Sequence, residues 1–105
     1  MTSPFVYIFW TCKNVEEAEK IIHSLLNLRL IACASILPSI QSIYSWEGKI
    51  EHSTETKVIF KTQSKHFAEI CLYIQENGSY KVPEISEIEV NQVNPRYADW
   101  IGEET

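Results

Sequence analysis

An α+β fold, with an antiparallel sheet and two helices packed on one of its faces, is predicted by three features of the 105-residue sequence. Stretches of strand and helix character follow one another in the order strand, helix, strand, strand, helix, strand. The two middle strands are joined by nothing longer than "EGK" at 47 to 49, which reads as a tight turn. Each helical stretch carries a single apolar stripe, so each needs one surface to pack on.

The first element is "FVYIFWTC" at 5 to 12, β-branched and aromatic throughout, which suits a central strand buried on both faces. Asn14 can then cap a helix, with Glu17 three residues on completing a capping box and Glu16 and Glu17 both favouring the positive end of the helix dipole. Val15, Ala18, Ile21, Ile22, Leu25 and Leu26 recur at three- and four-residue spacings, and the helix should end near Asn27 to Arg29.

From Leu30 the pattern becomes extended. Ile36, Ile40, Tyr44 and Trp46 fall on one side of the outgoing strand, while on the returning strand Val58 and Phe60 face one way and Ile59 and Lys61 the other. Hairpin arms of this length overhang a domain of this size. An overhang carrying Tyr44 and Trp46 exposes aromatic surface that a second copy of the chain would cover. Ser64 serves as the next cap, and Phe67, Ile70, Cys71 and Ile74 form the stripe of the second helix. Asn77-Gly78 ends it, with Gly78 able to take the left-handed conformation. Pro83 precedes the last strand, "EISEIEV", and Pro95 opens a short terminal helix, "PRYADWI" at 95 to 101. This order is the ferredoxin-like split βαβ plan, with a long hairpin between the second and third strands. Residues 1–105 are expected to form one domain.

The composition, 45% hydrophobic and 22% charged, is that of an ordinary globular chain. A net charge of −5 with scattered basic residues opposes binding to a phosphate backbone, so no nucleic-acid partner is expected. The N-terminal "MTSPFVYIFWTCK" lacks a basic leader and a cleavage site and is too short to span a bilayer, so no membrane partner is expected and a cytoplasmic setting is. Cys12, Cys33 and Cys71 are odd in number and far apart, which argues for reduced thiols rather than a disulfide framework or a zinc knuckle.

Specific strings then add to the pattern: "ACASILP" at 32 to 38, "SIYSWEGKIE" at 42 to 51, "FKT" at 60 to 62, "YKVPEI" at 80 to 85 and "YADWI" at 97 to 101. In this order, over nearly the whole chain, they resemble the CutA family of divalent-cation tolerance proteins. The resemblance implies a stable homotrimer in the cytoplasm, a role in the response to metal ions, and no defined reaction or cofactor. In that family the corner before the last strand commonly runs His-Pro-Tyr-x-x-Pro-Glu, whereas here it runs Gly78-Ser79-Tyr80-Lys81-Val82-Pro83-Glu84. The position of the family histidine is a glycine. Where some members place a cysteine before threonine at the end of the first strand, this chain has Trp10, with Cys12 two residues later. The usual copper or zinc ligands are therefore missing, and no metal site is expected.

Within the resemblance, Glu55, Lys61, Tyr80 and Glu84 match polar positions that contribute to a crevice between subunits. Lys61 offers a cation and Tyr80 a hydroxyl to a small anion or carboxylate, although Lys61 pairing with Glu84 or Glu55 across the trimer contact fits as well. Cys33 joins this crevice group, while its place in "ACA" also suits a small buried side chain. Tyr44 and Trp46 read as subunit-interface residues, and Tyr97 and Trp100 as a seal between the tail and the sheet. His23, His52 and His66 read as solvated. No activated nucleophile or Gly-rich phosphate loop stands out, so no catalytic residue is assigned and the chain reads as a non-enzyme. Three functions compete: a non-enzymatic CutA-type trimer, a trimeric signalling module of PII type, and a small enzyme using Lys61 or Tyr80. The first is preferred.

Overall fold

The computed structural model describes residues 4–105. The elements run β1 (Phe5–Cys12), α1 (Val15–Asn27), β2 (Cys33–Trp46), β3 (Lys49–Gln63), a 3-10 turn (Ser64–His66), α2 (Phe67–Asn77), β4 (Ile85–Glu89) and α3 (Pro95–Glu104). The sheet order is β2-β3-β1-β4, and every neighbouring pair is antiparallel. The α+β, ferredoxin-like architecture predicted above is therefore present, with β1 central. No helix among the described residues is long and apolar enough to cross a membrane.

Alternation along β1 and β3 decides where the core lies. Val6, Ile8, Trp10 and Cys12 share one face with Val58 and Phe60, and on that face they meet Ala18, Ile21, Ile22 and Leu25 of α1 and Ile70 and Ile74 of α2. Trp10 and Phe60 stack across the strand pair, with ring centroids 5.9 Å apart. Each such side chain, when fully buried, contributes roughly 1.5–3 kcal/mol of transfer free energy, so this one face supplies most of the stabilisation. The opposite face of β1 is only half-buried, a departure from the strand buried on both sides that its composition suggested.

Both ends of α1 follow local chemistry. The Asn14 side chain accepts from Glu17 N at 2.9 Å, while Glu17 Oε1 accepts from Lys13 N at 3.0 Å, one residue short of the capping-box partner. At the other end Arg29 takes φ +58°, Leu30 N donates to Leu25 O and Arg29 N to Leu26 O, so a Schellman cap is closed by an arginine where glycine is usual. The Arg29 guanidinium then donates to Glu103 O at 2.5 Å and ties α1 to the end of α3.

Two expected devices take other forms. Ser64 does not cap α2, because its hydroxyl donates to the Glu87 carboxylate of β4 and a 3-10 turn leads into the helix instead. Gly78 ends α2 in an extended conformation, φ −81° and ψ 160°, rather than a left-handed one. Its glycine is required by contact: a Cβ there would lie 2.8 Å from Ile74 O.

The hairpin departs furthest from a plain period of two. β3 stays in register with β1 only as far as the Cys12↔Thr56 pair, and beyond it residues 40–46 and 49–55 continue as a two-stranded arm. Glu47 and Gly48 both have positive φ, +51° and +79°, the type I′ geometry that matches the twist of flanking strands. Between Leu37 and Ile40 the register shifts by one residue, with Ser39 at φ +58°. Ile36 therefore pairs with Val58 on the core face, but Ile40 pairs with Glu55 on the other. Ile40, Tyr44 and Trp46 do not share a face with Ile36, and the bulge is the reason.

Ser39→Val places a β-branched residue at positive φ and should lower the urea-unfolding free energy by about 1–2 kcal/mol, whereas Ser39→Gly should leave it unchanged or slightly raised. Equal losses for both would show that the bulge geometry does not constrain this position.

Candidate functional site

Beyond the bulge, the face opposite the helices carries Ser42, Tyr44 and Trp46 from β2 and Ser53 and Glu55 from β3. Across a gap stand residues 79–82 and Glu84 from the corner between α2 and β4, with Thr11 of β1 at the base. Together they enclose an open cleft of about 670 Å³, within the range of small-ligand sites. The overhanging arm forms one wall and the corner the other.

The corner is held by hydrogen bonds from two sides. Glu17 Oε2 accepts from Ser79 N at 2.7 Å while its Oε1 accepts from Lys13 N, so one carboxylate joins the end of β1, the start of α1 and the corner. Burial alone would raise its pKa, but these donors outweigh burial and hold it below the usual carboxylate range. Glu84 behaves in the same way: burial opposes ionisation, and Thr11 Oγ1 at 2.8 Å, Lys57 Nζ at 3.1 Å and Ser86 Oγ at 3.1 Å overcome it. Glu84 O also accepts from Thr11 N, which fixes the corner onto β1. Lys57 is held in turn over the Phe9 ring, 5.0 Å from its centroid.

Tyr80 projects from this corner and lines the cleft together with Glu55 of the arm. Burial first, and the Glu55 carboxylate next, push the phenol far above its ordinary pKa, so it stays a neutral donor. Beside it the buried Cys12 thiol is raised to about 12, by burial first and by Glu17 next, with its Sγ 3.5 Å from Asn14 O. A thiol so placed is neither a nucleophile nor a ready metal ligand near neutral pH. Ser53 Oγ lies buried on the arm wall with no hydrogen-bond partner among the described residues.

The predicted crevice residues separate into two groups. Glu55, Tyr80 and Glu84 line the cleft together with Tyr44 and Trp46. Lys61 and Cys33 are cross-strand neighbours on the same face, yet six residues along β3 from Glu55, about 20 Å away at the usual strand rise. Lys61 Nζ bonds Ser35 Oγ there. Cys33 Sγ lies 3.3 Å from Tyr97 Oη, and Tyr97 and Trp100 pack ring against ring with centroids 5.6 Å apart. Burial, with the Cys33 contact second, raises the Tyr97 hydroxyl to about 12. His23 and His52 are exposed, but His66 Nε2 lies 2.9 Å from Thr105 O and is engaged. Among the described residues no group of three or more His, Cys, Asp or Glu side chains is gathered as a metal centre would need. Sequence reasoning passed over Ser53 and Lys57 and read Glu17 only as a helix-capping residue. The capping box marked Glu17, but its bond to Ser79 spans sixty-two positions and has no local signal.

A family model described as CutA1 divalent ion tolerance protein matches residues 6–104. The "Divalent-cation tolerance protein CutA" of Archaeoglobus fulgidus is 42% identical over 99 residues, 94% of each chain. The "Protein CutA homolog" of Xenopus laevis is 36% identical over 89% of this chain, which spans only 62% of that longer protein. A solved structure described as the periplasmic divalent cation tolerance protein CutA from Archaeoglobus fulgidus superposes with a TM-score of 0.93 at 40% identity, covering 95% of this chain and 97% of that one.

Two outcomes test this description of the site. Gly78→Ala should destabilise by about 1–3 kcal/mol, since the Cβ must push back the Ile74 carbonyl of the helix end. Glu17 and Glu84 have folded pKa values below the ordinary 4.5, so the unfolded chain binds protons first; their stabilisation is complete above about pH 4.5 and is lost as pH falls through the folded values. The urea midpoint should therefore fall below pH 4.5, and it should fall less steeply in the Glu17→Gln, Glu84→Gln double variant.

Proposed function

The chain belongs to the CutA1 divalent ion tolerance family, and on that premise we propose that residues 1–105 act as one CutA-like, non-enzymatic unit that assembles into a homotrimer and takes part in divalent-cation tolerance through a small-ligand crevice at the subunit boundary. The observation that carries this reading is the arm. Ile43, Tyr44, Trp46 and Ile50 are 42–76% exposed on a two-stranded extension with free edges on both sides. So much apolar surface on a bare hairpin, which is at best marginally stable by itself, calls for a partner to cover it.

A heterologous, ring-closing contact suits the asymmetry, because the arm projects from one end of the sheet and the corner wall faces it. The non-enzymatic part is supported by two groups of the cleft: Tyr80 is held protonated, and Glu84 is committed to Lys57. The family match does not favour the PII-type alternative. The proposed setting is the cytoplasm, where Cys12, Cys33 and Cys71 remain reduced.

Sedimentation equilibrium at low micromolar concentration should give three times the chain mass of 12.2 kDa, and monomer alone would overturn the assembly. Trp46→Lys puts a charge into the proposed contact and should weaken association by tenfold or more, equivalent to at least about 1.4 kcal/mol. Copper and zinc should bind the reduced protein weakly, since the cleft offers carboxylates, hydroxyls and a phenol rather than imidazole or thiolate.

A further inference from the structure

Asn77 is the one asparagine in the sequence that a glycine follows. An asparagine so placed is open to attack on its side-chain carbonyl carbon by the amide nitrogen of the next residue. Glycine, with no side chain to shield that nitrogen, is the neighbour that allows the attack most readily. At 78 the fold leaves no alternative to glycine, since a Cβ there would lie 2.8 Å from Ile74 O. The packing at the end of α2 thus imposes the residue that makes Asn77 labile.

The closed corner withholds both reacting groups. The nucleophile, Gly78 N, donates to Ile74 O at 2.7 Å, and the leaving group, Asn77 Nδ2, donates to Tyr73 O at 2.8 Å. Ring closure requires both bonds to break and Asn77 to turn out of its helical conformation. Little else resists it: Asn77 is exposed, it is the last residue of α2, and Gly78 beyond it is already extended. The next tie along the chain is the Ser79 N–H to Glu17 Oε2 at 2.7 Å. Helix ends open at far lower free energy than the core does, so this charge-assisted bond is the contact that holds the end shut. Neither Asn77 nor Gly78 lines the cleft, and the reaction needs only water.

We propose that Asn77 is a latent modification site, closed by the Glu17–Ser79 bond and reactive when the corner between α2 and β4 opens. On opening, Gly78 N gives its proton to hydroxide and bonds to Asn77 Cγ; the Cγ–Nδ2 bond breaks, ammonia leaves and a cyclic imide forms. Water then opens the imide. Cleavage of the new N–Cγ bond yields aspartate, and cleavage of the bond from Asn77 C to Gly78 N yields isoaspartate, whose main chain runs through Cβ and Cγ. Water is consumed and ammonia released, with nothing oxidised or reduced. The isoaspartate route lengthens the link between α2 and the corner by a carbon atom and leaves a carboxylate beside it. Residues 79–82, one wall of the cleft, then lose the spacing set by the bonds at Ser79 and Glu84.

The test is incubation of the intact protein at mildly alkaline pH, with mass spectrometry following the conversion of Asn77 and chromatography separating aspartate from isoaspartate. An end-blocked peptide of residues 73–83, which has no closed corner, is the reference. Reaction through the open corner alone makes the protein-to-peptide rate ratio equal to the open fraction, and the protein should be slower by about tenfold or more. Hydrogen exchange of the Gly78 amide should give the same open fraction, which decides the matter without any variant. Glu17→Gln keeps an acceptor but removes its charge and should speed the reaction about fivefold. Thr62→Val, which loses a buried bond to Leu30 O at the other end of the sheet, should leave the rate unchanged. In the separated isoaspartate form the Ser79 and Tyr80 amides should shift in NMR. Equal rates in protein and peptide, reaction faster than Gly78 exchange permits, an unchanged rate in Glu17→Gln, or equal acceleration by Thr62→Val overturns the inference; unshifted Ser79 and Tyr80 amides overturn its consequence for the cleft.

Discussion

The extra residue between Leu37 and Ile40 is the constraint on which the cleft-bearing face depends. In an antiparallel pair, side chains directly opposite share a face, and one inserted residue moves everything after it to the other side. Before the bulge, β2 places Ala34 and Ile36 over Phe60 and Val58 in the core. After it, Ser42, Tyr44 and Trp46 lie over Ser53, Glu51 and Lys49, away from the helices. Were the strand regular, its aromatics would continue the core stripe into solvent beyond the ends of α1 and α2, where nothing could receive them. The bulge turns them instead toward the corner, and the cleft exists because of that turn. Ser39 accepts positive φ to make it, a local cost of about 1–2 kcal/mol that the flanking ladder must hold in place.

The opposite wall is fixed by electrostatics more than by packing. Residues 79–84 have no regular structure, yet they are pinned at Ser79 by Glu17 and at Glu84 by Thr11 and Lys57. Charge-assisted bonds of this kind are stronger than neutral ones and keep both acids ionised against their burial. The two pins do different work. Glu17 is held by the backbone N–H groups of Lys13 and Ser79 and serves the architecture, whereas Glu84 is neutralised by a lysine that is itself held against Phe9 on the open sheet face. Glu55, facing them from the arm, makes no ion pair among the described residues. Lys81 lines the same cleft, so both signs of charge are present there beside the pair that the fold has neutralised.

Features set by neighbours in the chain were legible in the sequence. The Asn14 cap, the Glu47-Gly48 hairpin turn and the Pro95 helix start each depend on a few consecutive residues, and each appears as expected. The family resemblance, carried by short strings in order, was legible for the same reason. What failed to show depends on contacts made after folding. Gly78 looked like a left-handed cap, but the carbonyl of Ile74 needs it as the residue without a Cβ. Ser64 looked like a cap, but Glu87 of β4 competes for its hydroxyl more effectively than the helix does. Lys61 and Cys33 were grouped with Glu55 in a crevice between subunits, and within one chain the strand rise sets them about 20 Å from it, a distance that the pattern of residue types does not carry. The bulge was hidden because "LPSI" offers a proline and a serine without saying which of them takes the extra place.

The two sheet faces therefore divide the demands on a small chain. The helix-covered face buries its large apolar side chains almost completely and leaves few polar groups to satisfy; among the described residues Thr56 and Thr62 are the buried polar ones. Thr62 meets that requirement with a 2.6 Å bond to Leu30 O. The other face mixes Tyr7, Phe9, Ile59 and Lys61 at intermediate burial and ends in the exposed arm. A surface of that kind gains little from solvent contact and much from being covered, while the charged groups spaced along it limit which partner can cover it. Stability is concentrated on the face that the helices cover, and the proposed assembly would draw on the face that they leave open.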